Sequence, residues 1–339
     1  MSKLFKNFVG IDISKEYYDV MVIKKQSPER HDHSRYAQNQ AGYKKMVLWL
    51  KQLAVHLDEE TLFCMEDTGI YNHGLVNFLS THDAQLWVEM PLRIKKADGF
   101  QRGGDDKDAS LKIAIYAFRY QDRAQLWQAI DSKLITIKNL IALRDRVVKS
   151  INQLEVPVNE LIACGCTQEA KEMKELQKIS IKALKTTKKA IENKIKALVN
   201  EDEKIRVKVR QVESIVGIGH VTAVALFIYT KGFTSFENAR QLACYCGVVP
   251  FKKESGSSVR TRAKVSVYAN KKLKWLLHMC AMSAIRYDQE LKLYYNRKKE
   301  EGKNRMSVIN AVRNKLVHRV FAITRDNRVF QADYVRKCA

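Results

Sequence analysis

The stretch FVGIDISKEYYDVMVI, Phe8 to Ile23, decides the reading of the first domain. Two runs rich in Val, Ile, Tyr and Phe are joined by a short polar link, the pattern of two neighbouring strands. Asp12 interrupts the first run between apolar neighbours. A carboxylate inside a strand costs stability unless something positive meets it. The sequence therefore poses a definite question: what is the positive partner of Asp12?

Outward from this hairpin, QAGYKKMVLWLKQLA places Met46, Val47, Leu50 and Leu53 on one helical face. TLFCMED reads as a strand, NHGLVNFLSTH as a helix, AQLWVEM as a strand ending at Pro91, and DASLKIAIYAFRY as a helix. Alternating β and α elements after a hairpin predict a mixed α/β sheet over residues 1–130. From Ser132 to Leu154 apolar residues recur at helical spacing, and Pro157 with ACGCTQ is expected to break that helix. A second long helix is predicted from about Glu169 to Val209. Its Leu184, Ile191, Ile195, Leu198, Ile205 and Val209 follow a heptad-like spacing. Residues 131–211 are thus expected to form a coiled-coil region, either an antiparallel hairpin or a contact between subunits. Residues 212–339 read as mostly helical. VESIVGIGHVTAVALFIY there has a helix–hairpin–helix-like turn, and VVPFKKESGSSVRTRAKVS reads as a polar, basic loop.

The chain has 339 residues, 46% of them hydrophobic, enough for two or three domains with real cores. No apolar run approaches the ~20 residues of a membrane span, and MSKLFKNFVGID has no signal-peptide core. The expectation is a soluble, cytoplasmic protein with no membrane partner. The seven cysteines include the C-x-C pairs Cys164/Cys166 and Cys244/Cys246, without zinc-ligand spacing, and read as buried reduced thiols. The formal charge of +23 is uneven: residues 1–130 carry net +1, 131–211 net +7 and 212–339 net +15. A strongly basic second half after a near-neutral first domain points to a polyanion, DNA or RNA.

Besides Asp12, Glu66 ends a strand, and Asp105, Asp106 and Asp108 stand at the start of a helix. Helix-start carboxylates are also favoured by the dipole, so capping alone could explain the pair Asp105 and Asp108. Strand carboxylates need another explanation. Asp12, Glu66, Asp105 and Asp108 converging would repel one another, and hard divalent cations, Mg²⁺ or Mn²⁺, remove that repulsion. Two such ions about 4 Å apart clamp both oxygens of a phosphoryl displacement.

The order of these residues resembles the RuvC-like branch of the ribonuclease-H fold. GIDIS…MEDTG…DDKDASLKIAIYA resembles more closely the DEDD-type transposases of insertion-sequence family one-ten, the bridge-RNA-guided recombinases. In that family the third motif reads Lys-Thr-Asp-x-x-Asp-Ala. Here Gly103 and Gly104 replace Lys-Thr, while Asp105, Asp108 and Ala109 match. VGIGHVTAVAL, FENARQLACYCGVVP, SGSSVRTRAKVS and ANKKLKWLLHMCAMSAI are similar, in order and spacing, to the family's second conserved domain.

The resemblance implies a nucleophilic serine in the Ser-Gly motif, Ser255, with Ser257 and Ser258 as lesser candidates. Lys252, Lys253, Arg260, Arg262 and Lys264 give that segment the charge to hold phosphates. It further implies strand exchange between donor and target DNA through a phosphoserine–DNA intermediate. A bridge-type guide RNA would supply specificity by base pairing, in a homo-oligomer that is a dimer or dimer of dimers. Two other readings stand beside it: a RuvC-like Holliday-junction nuclease with the same carboxylates, and a non-catalytic nucleic-acid-binding relative.

Overall fold

The hairpin forms as its sequence requires. β1 (Asn7–Ile13) and β2 (Tyr17–Lys24) pair antiparallel, with Asp12 directly opposite Asp19. β1 also pairs in parallel with β4 (Thr61–Glu66), and β4 with β5 (Gln85–Glu89). An element absent from the sequence reading, β3 (Ser27–Ala37), pairs with β2 and gives the strand order β3-β2-β1-β4-β5. Its sequence, SPERHDHSRYA, has almost no apolar residues, because it is an edge strand whose charged side chains stay at the surface. This computed structural model describes residues 5–69, 71–97, 105–127, 131–255 and 259–331, with the backbone alone for 252–255 and 259–262.

Alternation along β1 separates two cores. Val9, Ile11 and Ile13 pack under α1 (Gln40–Gln52) and α2 (His73–Ser80), with Met46, Leu50, Leu75 and Leu79. Phe8 lies on the other face with Leu62, Cys64, Ile113 and Ala117, under α4 (Asp106–Arg119). Pro91 does end the strand region, and it opens a short helix, α3 (Pro91–Ala97), where its missing N–H costs nothing.

α4 approaches β1 very closely. A Cβ on Gly10 would lie 2.3 Å from both the Ala114 nitrogen and the Ser110 oxygen. Further along, Phe118 meets Phe8 edge-to-face at 5.2 Å between centroids. The helix therefore runs antiparallel to β1 and brings its N-terminus to the Asp12 end of the strand.

The chain divides into two compact units, Met1–Ala129 and Ile130–Ala339. In the second, α5 (Ser132–Ala163) and α6 (Thr167–Glu201) pack as an antiparallel helical hairpin, bridged by Arg144–Glu192 at 2.6 Å and Lys185–Glu155 at 2.7 Å. Two expectations are corrected here. α5 runs through Pro157 to Ala163, because Ile151 and Val158 keep the buried stripe continuous past the exposed proline. The second long helix is interrupted at Asp202, whose carboxylate accepts the Ile205 N–H and starts α7 (Glu203–Glu213).

The remaining elements are α8 (His220–Tyr229), α9 (Ala239–Tyr245), α10 (Lys271–Tyr287), α11 (Gln289–Glu300) and α12 (Arg305–Arg325). They share one apolar core with the inward stripes of α5 to α7. Between α9 and α10 the segment expected as a loop forms a two-stranded hairpin, β6 (Pro250–Ser255) and β7 (Val259–Val265). The strict alternation Val-Arg-Thr-Arg-Ala-Lys-Val is the period-two signal behind it. Cys64, Cys246 and Cys280 are buried free thiols, whereas Cys164 is exposed, against expectation. Among the described residues no helix is long and apolar enough to cross a membrane.

Gly10→Ala should force α4 off the sheet and destabilise the protein by about 1–3 kcal/mol or more. Urea unfolding of the two chains measures the difference, and an unchanged midpoint would contradict the close contact described.

Candidate active site

Strand register lines up five ionisable residues in one row across the sheet. Arg35 pairs with Asp19, Asp19 with Asp12, and Glu66 with Glu89. Asp12 and Glu66 directly follow Ile11 and Met65, which pair in the parallel β1–β4 ladder, and so stand side by side. In-register neighbours share a face, and this row lies on the face turned to α4.

The flanks of the row are neutralised by the protein itself. Asp19, 3% exposed, accepts hydrogen bonds from Arg35 Nε at 3.0–3.1 Å and pairs with His33 Nε2 at 2.8 Å. Glu89, 5% exposed, accepts from the Met90 N–H at 2.7 Å and the Tyr116 hydroxyl at 3.3 Å, with Arg93 at 3.4 Å. The centre is different. Among the described residues no cationic side chain forms an ion pair with Asp12 or Glu66. Burial first, and then the charges of Asp106 and Asp19, push the Asp12 carboxyl above its ordinary range. Burial and then Asp12 raise Glu66, against a smaller opposing effect of Lys95.

The third acidic motif lies at the start of α4. Asp105 is the N-cap, its carboxylate accepting the Asp108 N–H at 2.9 Å. Asp106, Ser110 and Ala114 recur every four residues on the face turned to β1, and Asp108 stands half a turn away from them. Asp106 is also bound to Arg35 Nη2 at 2.9 Å, so one guanidinium clamps the edge of the row to the helix start. The structure thus brings Asp12 and Glu66 together, sets Asp106 where its charge acts on Asp12, and leaves Asp105 and Asp108 at the cap, all three helix-start acids being exposed. Asp19, His33, Arg35 and Glu89 escaped the sequence reading. Counting outward from a two-residue Lys15–Glu16 turn would have set Asp19 opposite Asp12.

Among the described residues no three His, Cys, Asp or Glu side chains are gathered closely enough to hold a metal ion. The adjacent pair still fits Mg²⁺, which commonly takes one or two carboxylates and completes its shell with water and substrate phosphate.

Ser255 is in the second unit, the last residue of β6, with its backbone paired to Val259. Ser257 and Ser258 lie outside the described residues, and so do Gly103 and Gly104. Lys252 and Lys253 are on β6, Arg260 and Arg262 on β7, and Lys264, also on β7, is exposed. The turn between α7 and α8 needs Gly217, whose φ is +95° and whose Cβ would lie 2.8 Å from Ala284. Beside this turn is a cleft of about 520 Å³ lined in part by Lys196, Arg206, Arg210 and His220.

Two family descriptions match the chain in order: a DEDD transposase of the IS110 type over residues 9–164, and "Transposase IS116/IS110/IS902 family" over residues 209–296. The pilin gene-inverting proteins of Moraxella lacunata and Moraxella bovis are each 26% identical over 333 residues, covering 96% of this chain and 98% of theirs. An uncharacterized 43.6 kDa protein of insertion element IS110 from Streptomyces coelicolor is 27% identical over 153 residues, 45% of this chain and 36% of that one. Both conserved regions of the DEDD-type IS110 transposases are thus matched in this chain, one in each compact unit.

Proposed function

We propose that the chain exchanges DNA strands through a serine-linked intermediate, at a divalent-metal site centred on Asp12 and Glu66 and completed by the Asp105–Asp108 motif. The observation that carries this reading is the unpaired centre of the carboxylate row. Its flanks form ion pairs with protein cations, its centre forms none among the described residues, and both central groups are destabilised as anions. A Mg²⁺ or Mn²⁺ ion held there would supply Lewis-acid stabilisation of charge on the scissile phosphate. The strand order, three antiparallel strands continued by two parallel ones, is compatible with a ribonuclease-H fold of the RuvC branch.

In this mechanism the Ser255 hydroxyl oxygen attacks the phosphorus of a phosphodiester. The Oγ–P bond forms as the P–O3′ bond breaks, the hydroxyl proton is lost to solvent, and the departing 3′ oxygen takes one up. Because the phosphoserine ester retains the bond energy, the 3′ hydroxyl of another strand can reverse the step and rejoin DNA without ATP. The Moraxella relatives are named for inverting a gene, and inversion requires rejoining as well as cutting, which favours exchange over hydrolysis. Lys252, Lys253, Arg260, Arg262 and Lys264 would hold backbone phosphates around the serine. A bridge-type RNA would read donor and target sequence by pairing, with the protein gripping backbones. Two or four copies of the chain would assemble on the synapsed DNA.

The charge argument makes a signed prediction. An acid whose folded pKa is raised binds more protons native than unfolded between the two values. Stability is then greatest below the ordinary carboxylate range, about pH 4, and falls as pH rises through the raised value. In chelator at pH 7, Asp12→Asn should melt above the parent chain, and the gain should vanish near pH 3. Mg²⁺ at a hundredfold excess over its Kd should stabilise the parent by about 2.7 kcal/mol and Asp12→Asn by far less. Equal Mg²⁺ shifts in the two proteins would remove Asp12 from the site.

The serine step has its own test. A reaction on cognate DNA quenched in denaturant should contain a covalent protein–DNA adduct, mapped by peptide mass to Ser255. Ser255→Ala should abolish adduct and recombination while nucleic-acid binding persists. Alanine at Ser257 or Ser258 should be mild. Cutting and rejoining by Ser255→Ala would transfer the case to the Holliday-junction nuclease reading.

A further inference from the structure

Helix α12 carries two largely buried arginines whose surroundings differ completely. Arg319 meets Asp288 at 2.6 Å and Glu290 at 2.5 Å, and its guanidinium lies over the Phe330 ring, 4.7 Å from the centroid. Arg313 is only 6% exposed, yet among the described residues no carboxylate pairs with it. Its Nε is sealed from solvent without a hydrogen-bond partner. The two terminal nitrogens make no hydrogen bond to the described chain either, but they are not sealed, so the fork tip is the part that reaches the surface. Burial lowers the pKa of Arg313, with no acid acting against it.

The charged neighbour that senses Arg313 is a potential cation. His278 of α10 has its pKa lowered by burial and then by Arg313, and its Nδ1 is buried without a partner. The seam between α10 and α12 therefore holds an uncompensated positive charge, which a folded chain keeps only at a cost.

Its location gives the charge a use. One turn before Arg313, Asn310 Nδ2 donates to the Val248 carbonyl at 2.7 Å, two residues ahead of β6. One turn before His278, Lys274 crowds Gly247, where an added Cβ would lie 3.3 Å from Lys274 Cδ and 3.6 Å from Val265 Cγ1 of β7. The seam thus opens at the foot of the β6–β7 hairpin. We propose that this seam is a phosphodiester-binding site in which Arg313 offers its two terminal guanidinium nitrogens to one backbone phosphate of bound nucleic acid. The proposal rests on the nucleic-acid reading given above and assigns it a residue outside the hairpin. A guanidinium fork matches two phosphate oxygens at once. Because packing already immobilises the Arg313 stem, binding pays little further entropy to orient the fork. A purely structural arginine would be paired as Arg319 is.

Anisotropy titrations of the full chain with a labelled random-sequence DNA duplex and a labelled single-stranded RNA, each over a range of salt, test this. Arg313→Met should weaken binding of at least one probe by about tenfold or more. Its log–log salt slope should be shallower by about one unit. Arg313→Lys, which keeps the charge and loses the fork, should keep the slope and lose part of the affinity. Loss on the duplex alone assigns the phosphate to DNA, and loss on the single strand alone assigns it to RNA. Without nucleic acid, Arg313→Met should melt at or above the parent temperature, since an unpaired charge is removed. If Arg313→Met does not fold, Arg313→Lys decides. Wild-type affinity and slope in every variant that folds would overturn the site. Failure of the parent chain to bind either probe would instead overturn the nucleic-acid reading, and this site with it.

Discussion

The contact between Gly10 and α4 is the constraint on which the first unit depends. With no side chain at residue 10, the backbone of Ser110–Ala114 rests directly on β1. That contact sets the height of the helix above the sheet, and the Phe8–Phe118 pair sets its direction. Together they carry the acidic start of α4 to the strand ends where Asp12 and Glu66 emerge. A larger residue at position 10 would displace the third acidic motif without touching a single carboxylate.

Within that frame the row of ionisable groups shows how the fold tolerates charge beside an apolar core. Asp19 and Glu89 are the most buried members, and each is fully engaged by Arg35 and His33 or by Tyr116, Arg93 and a backbone N–H. Asp12 and Glu66 are less buried, and among the described residues neither has an ion-pair partner, although Asp12 accepts a backbone hydrogen bond from Ile13. Neutralising the most buried acids follows from the cost of burying charge, but leaving two adjacent half-buried acids at the centre keeps a repulsion that stability alone would remove. This is the distribution expected of a fold that holds two acids ready for an external cation, with the neighbouring acids kept from competing.

The sequence made the central elements legible and the edges obscure. β1, β2, β4, β5, α1, α2 and α4 follow from apolar periodicity, because each has one face in a core. β3 does not, since an edge strand of charged residues has no apolar alternation to read. The β6–β7 hairpin had the alternation from Val259 to Val265, but serine, glycine and charge around it suggested a loop. Pro157 was read as a terminator because its local effect is strong, and the packing of Ile151 and Val158 outweighed it. The question posed by Asp12 was answered only in part. Its neighbour Glu66 was anticipated, but Asp19 and Glu89 were not, because they enter the row through cross-strand register, which is a property of the assembled sheet. Arg313 was invisible for a similar reason. In a chain with 60 Lys and Arg residues, nothing local marks Arg313 as having a buried stem and a fork that pairs with no described carboxylate.

The two units thus carry uncompensated charges of opposite sign. Among the described residues, Asp12 and Glu66 of the first unit form no ion pair with a cation, and Arg313 of the second forms none with an anion. Each is disfavoured in the isolated chain, and filling either with a complementary side chain would be an easy route to a more stable protein. The chain has instead retained both, while nearby Asp19, Glu89 and Arg319 are closely paired, so the fold is able to satisfy buried charge where it has no other use for it. On the function proposed above, a divalent cation would answer the carboxylates of the first unit, and a backbone phosphate would answer the arginine of the second. Each unit would then recover, on binding its own partner, the stability that its unpaired charge costs.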